Sequence, residues 1–154
     1  MFRWVFGGYL ALFSANAVLG WIRPPFPDAT ARAPEFADLA GAAATILRHN
    51  LGALVVLVLG NALSLGVFGA VMFAANGYLA GALMRAAAPH APPWLWLFVV
   101  PEMLAFTTAG AAAVSVVMGK FGVGAAARAI GFSAGVLCAA AVFEAVLIQL
   151  AWGL

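Results

Sequence analysis

Charge is what this sequence has least of. Seven basic and five acidic side chains make up 8% of its 154 residues, whereas about a quarter of the residues of a soluble domain are charged. So few charges cannot coat a water-soluble surface of this size, which excludes an ordinary cytosolic enzyme, a nucleic-acid module and a disordered chain. The net charge is +2, but the lysines and arginines are scattered and form no cluster able to hold phosphates or lipid headgroups. No nucleic-acid partner is expected. Cysteine is nearly absent too: Cys138 stands alone in an apolar run, which excludes an intrachain disulfide framework or a thiolate metal cage and reads as a small buried hydrophobe. His49 and His90 are far apart, and no HExxH, GxSxG or paired-Asp motif occurs. The segment GKFGVG at 119–124 follows no strand and its lysine is misplaced for a phosphate loop. No metal, cofactor or catalytic residue is expected.

What is present is apolar. Hydrophobic residues make up 66% of the chain and mean hydropathy is +1.09. The expected solvent is a lipid bilayer and the expected fold an all-α, polytopic transmembrane bundle forming a single domain over 1–154. A span needs about 20 mostly apolar residues and stops where charges begin. Trp4 to Ile22 is uncharged and ends at Arg23-Pro24-Pro25, predicting span 4–22. Arg3 and the weak Ala15-Asn16-Ala17 site also fit a signal peptide, but the apolar run continues past that site, so a retained span is expected.

Residues 23–38 hold five of the twelve charges and four of the eight prolines. They predict an exposed loop over 23–36, with a helix starting near Pro34-Glu35. The uncharged run from Asn50 to Met84 fits two helices, 37–60 and 63–85, if the turn lies at Gly60–Ser64. An interfacial helix followed by one long tilted span is the alternative. After the proline-rich stretch 86–93, Trp94 and Trp96 sit where aromatic belts anchor helices. Spans 94–118 and 126–152 complete a count of five. Pro101 must either interrupt the fourth helix or start its regular part. Five spans place Arg3, Lys120 and Arg128 on one side and Arg23, Arg32 and Arg85 on the other, with a slight lean to a cytoplasmic N-terminus.

Small residues recur at helical spacing: Gly66/Ala70/Ala74, Gly77/Gly81, Ala105/Ala109/Ala113 and Gly131/Gly135/Ala139, with Gly110 beside the third row. Such rows let helices approach closely in lipid, either within the bundle or on a self-association face. A homodimer or a partner membrane subunit is expected, because so short a chain makes a thin bundle. The costly residues are Glu102 and Glu144, since a carboxylate at membrane depth costs about 2.5–3.5 kcal/mol on insertion scales and faces the bundle interior or water. Arg48, His49 and Asn50 fall on consecutive helical positions about 100° apart, so all three cannot face one way. Arg48 is the ion-pair candidate for Glu102; alternatively the triplet lies at the membrane surface. Asn61 and Asn76 are amides in apolar runs. A substrate or ion pathway through Glu102, Asn76, Arg48, His49, Asn50, Pro101 and Glu144 is the candidate site.

The stretch from Arg48 to Met118 resembles the stage II sporulation protein M family, a membrane domain of unknown function in bacteria and archaea. The matching elements are His49-Asn50 opening a span, Gly60 and Gly66, Asn76-Gly77-x-x-x-Gly81, and Pro101-Glu102-Met103-Leu104-Ala105 followed by Ala109-Gly110-Ala111-Ala112. The family pattern at the last element is roughly P-H-G-x-x-E-L-P-A. Here Leu97-Phe98-Val99 stand at P-H-G, so the family histidine has no counterpart, and Leu104 replaces a proline. Asn76 and Glu102 are the positions the resemblance carries over. It implies a five-to-six-span bundle in the cell membrane, associated with cell-envelope remodelling or with bacteriocin production and immunity.

Overall fold

The computed structural model describes residues 1–23, 38–88 and 97–152. They form five helices: α1 (Phe2–Ile22), α2 (Leu39–Ser64), α3 (Val67–Ala87), α4 (Val99–Val117) and α5 (Val123–Trp152). All five are long and apolar enough to cross a membrane. The expected Pro34-Glu35 helix start, His90, Trp94 and Trp96 lie outside the described residues.

Side chains are sorted by size rather than simply by hydrophobicity. Leu63 (88% exposed), Trp4 (85%), Val123 and Phe132 point outward, while Ala109, Ala111, Ala112, Thr107, Ser115 and Ser133 are buried. Such an interior suits lipid, where burying a large apolar side chain gains little and close backbone approach gains more. The chain is a multi-span membrane protein.

Helix α1 packs most extensively on α3, and the two run parallel in a constant register. The Tyr9 and Phe73 rings stack at 4.8 Å. One turn on, a Cβ at Gly77 would meet Phe13 backbone, and a further turn on, one at Gly81 would meet the backbone of Ala17. Arg85 then closes the series by donating from Nη1 to the carbonyl oxygens of Trp21 (2.8 Å) and Ile22 (3.0 Å). Tyr78 Oη donates to Arg23 O at 2.6 Å. Side chains of α3 thus satisfy carbonyls that α1 leaves without helical partners. The Gly77/Gly81 row serves packing inside the chain.

Helices α2, α4 and α5 form the other group, with Leu54, Ala105, Ala109 and Leu137 at its centre. Helix α4 is the middle element, buried continuously from Ala109 to Ser115. It ends at Gly119, where φ is +64° and Lys120 N–H bonds Ser115 O at 2.8 Å, the left-handed closure that glycine favours. Phe2 stacks on Phe121 at 5.6 Å, so the N-terminus and the α4–α5 turn share one end of the bundle. Arg23, Asp38 and Arg85 lie at the other.

Three sequence expectations need correction. The α2–α3 turn is not at Gly60–Ser64 but at Leu65 (φ +53°) and Gly66 (φ +97°), because Asn61 and Ser64 stay helical and serve α3. Gly66 is therefore a turn residue and not part of a helix-packing row. Of the two readings left open for the small-residue rows, Gly131 and Gly135 do not take the first: a Cβ at either would meet nothing within 4 Å among the described residues. Cys138 is exposed on the outer face of α5 rather than buried.

Two measurements follow. Gly81→Leu should lower unfolding stability in mixed micelles by about 1–3 kcal/mol, the usual range for overpacking, while Gly131→Leu should change it by less than about 0.5 kcal/mol. In a Cys138→Ala background, cysteines at positions 3 and 120 should react with an impermeant maleimide from the same side of sealed vesicles, and one at position 85 from the opposite side.

Candidate functional site

The two helix groups do not close on each other completely. Between them lies a cleft of about 760 Å³ lined by all five helices. Its apolar walls include Phe13, Phe73, Met72, Met103 and Phe106, and its polar groups are Thr45, His49, Asn50, Asn76, Glu102 and Glu144. A volume of this order falls in the range of small-molecule sites.

Glu102 is half-buried in the first turn of α4. Helix α4 starts at Val99, so Glu102 sits close to a helix N-terminus, where the macrodipole favours a carboxylate. Pro101 lies in the same turn, where a missing N–H removes no ladder bond. It starts the regular helix and does not interrupt it. Across the cleft, Asn50 is only 8% exposed, and its Nδ2 donates to Glu102 Oε1. Arg48 and His49 are exposed; His49 lines the cleft, whereas Arg48 is not among its lining residues. The expected Arg48–Glu102 ion pair is replaced by the Asn50 amide, because the 100° step along α2 turns only one of the three residues fully inward.

Asn76 lines the cleft from α3, with Nδ2 donating to its own Met72 carbonyl at 2.9 Å. Glu144, half-buried on α5, lines the same space within electrostatic reach of Glu102. Of the seven residues named from the sequence, His49, Asn50, Asn76, Glu102 and Glu144 line the cleft; Pro101 precedes Glu102 in the chain without lining it. Arg48 stands apart. Among the described residues, no group of three or more His, Cys, Asp or Glu side chains could hold a metal ion.

Beneath the cleft lies a second polar cluster, centred on Asn61, one of the two amides that the sequence places in apolar runs. Asn61 is fully buried. Its Oδ1 accepts from Tyr9 Oη at 2.9 Å and from Gly69 N–H at 2.8 Å, and the backbone donor sets the orientation of the amide. Tyr9 Oη also lies 3.0 Å from Gly66 O. Ser64 Oγ accepts from Phe68 N–H at 2.9 Å and donates to Gly60 O at 2.6 Å. Asn61 and Ser64, both on α2, thus supply acceptors for the first N–H groups of α3, whose own N-cap, Gly66, has no side chain. Gly110 makes room: a Cβ there would come within 2.8 Å of Asn61 Nδ2. Tyr9 connects this cluster to the cleft through its stack on Phe73. The signal available in the sequence was an amide three residues before a serine at the end of an apolar run.

Comparison with protein-family models, with curated proteins and with solved structures found no match for this chain.

Asn50→Ala should lower unfolding stability by about 1–3 kcal/mol, because it leaves a half-buried carboxylate without its donor. Arg48→Ala should stay within about 0.5 kcal/mol of the wild type. Denaturant titration of both variants in mixed micelles checks the assignment, and the reverse ranking would restore the ion pair.

Proposed function

We propose that this protein is a small permease-like component of the cell membrane, with the cleft around Glu102 as its polar intramembrane site. The observation that carries the reading is the convergence of Glu102, Glu144, Asn50 and Asn76 on one cleft in a bundle that exposes many large apolar side chains. Intramembrane carboxylates are expensive and mark ion or substrate paths. Half of a transport pathway fits in five spans; a second copy of this chain, or a partner membrane subunit, supplies the rest. The resemblance to the stage II sporulation protein M family supports the same placement in the bacterial cell membrane, with Asn76 and Glu102 on the cleft wall.

A second reading is a non-catalytic scaffold that recruits partner proteins in cell-envelope remodelling or in bacteriocin maturation and immunity. The outward-facing Gly131 and Gly135, unpacked within the chain, favour it as a helix-association face.

Flux separates the two. In proteoliposomes, Glu102→Gln should reduce proton or monovalent-cation flux by about tenfold or more, the equivalent of one lost charge-assisted contact, with elution volume and helix content unchanged. If wild-type protein moves nothing and Glu102→Gln dissolves the assembly, the scaffold reading replaces the permease.

A further inference from the structure

The shape of the cleft, its charge and its walls together define an occupant. Helices α2 and α3 meet at the two-residue turn Leu65–Gly66, and the cleft is lined by the parts of both helices that lie away from that turn, residues 45–57 of α2 and 72–84 of α3. The two helices therefore part toward the end of the bundle that carries Arg23 and Arg85. The rim of the gap is made of side chains that are themselves exposed: Thr45 and His49 on α2, Asn76, Leu79 and Leu83 on α3. The cleft therefore opens at the side of the bundle, between α2 and α3, and not only at its end.

Its interior is acidic and aromatic. Two carboxylates, Glu102 and Glu144, line it, and among the described residues no lysine or arginine does. Phe13, Phe73 and Phe106 put aromatic side chains, which attract organic cations, in its walls, and Met72, Met84 and Met103 supply adaptable, polarizable surface. A bare metal ion demands a compact cage of oxygen ligands, and a cleft of about 760 Å³ with two carboxylates on broad apolar walls does not provide one. An anionic amphiphile would find two carboxyl groups there and, among the described residues, no lysine or arginine to pair with.

We infer that the cleft binds a bulky lipophilic organic cation that arrives laterally from the bilayer, its charge set against Glu102 and Glu144 and its apolar body against the phenylalanine and methionine walls. The inference rests on the cleft being the functional site and names its substrate class.

The test uses the full chain in nanodiscs of zwitterionic lipid, titrated with tetraphenylphosphonium. Tetraphenylborate, close in shape and opposite in charge, is the control, and protein-free discs give the background of both ions. Saturable binding of the cation above background is expected, weakened at least about tenfold by Glu102→Gln and by Glu144→Gln, with the anion no higher than background. Should Glu102→Gln fail to fold through its contact with Asn50, Glu144→Gln carries the test, and far-UV circular dichroism certifies each variant. Equal binding of both ions, or wild-type affinity in folded Glu144→Gln, overturns the inference. The two proposals also fail separately. Cation binding without any flux in proteoliposomes supports this inference and removes the permease, whereas Glu102-dependent flux of small cations without phosphonium binding does the opposite.

Discussion

The bundle is organised around a buried amide. Asn61 sits on α2, accepts from the Tyr9 hydroxyl of α1 and the Gly69 N–H of α3, and is accommodated by Gly110 of α4. In hydrocarbon, a polar group without a partner costs several kcal/mol, so these positions constrain one another. Rotation of α2 would take Oδ1 away from both donors at once, leaving Tyr9 Oη only Gly66 O and the Gly69 N–H without this acceptor. The constraint also explains the composition around the node: glycines at 66, 69 and 110 are where backbone comes within reach of Asn61 or Tyr9. Helix register in this region is set by hydrogen bonding and steric clearance, with hydrophobic burial in a lesser part.

From that fixed point the two helix groups diverge. The α1–α3 pair is held by backbone-level packing at Gly77 and Gly81, and the α2–α4–α5 group by the alanine-rich interior of α4. Each group is internally tight, and the space left between them is where the costly side chains face. Glu102 is stabilised there twice, by the N-terminal dipole of α4 and by the Asn50 amide. Such a carboxylate can remain in an apolar bundle without an arginine beside it. The node below and the cleft above share Phe73, which stacks on Tyr9 and lines the cavity wall.

Much of this architecture was legible in the sequence, and for identifiable reasons. Sparse charge marks span ends, so five helices and the closure at Gly119-Lys120 could be read directly, and the expense of carboxylates in lipid singled out Glu102 and Glu144. The turn between α2 and α3 was misplaced because Gly60, Asn61 and Ser64 look like turn formers, yet Asn61 and Ser64 are helical residues bonded to the next helix. The partner of Glu102 was misassigned because charge alone favours Arg48 over Asn50, and the choice depends on which way α2 is rotated. The outward face of Gly131 and Gly135 was equally hidden, since a row of small residues does not say which side of a helix it serves.

The parallel register of α1 and α3 has a consequence for biosynthesis. Arg85 follows Trp21 by 64 residues, so α1 has left the ribosome before the helix that caps and packs it exists. At about 5–20 residues per second the wait is roughly 3–13 s, during which α1 has lipid, translocon and the emerging α2 around it but not its main packing partner. Its composition suits that interval. The Asn16 amide donates to its own Leu12 carbonyl at 2.8 Å, and the face that will later meet Gly77 and Gly81 carries no charge. The first helix carries nothing that needs α3 before the two become a pair.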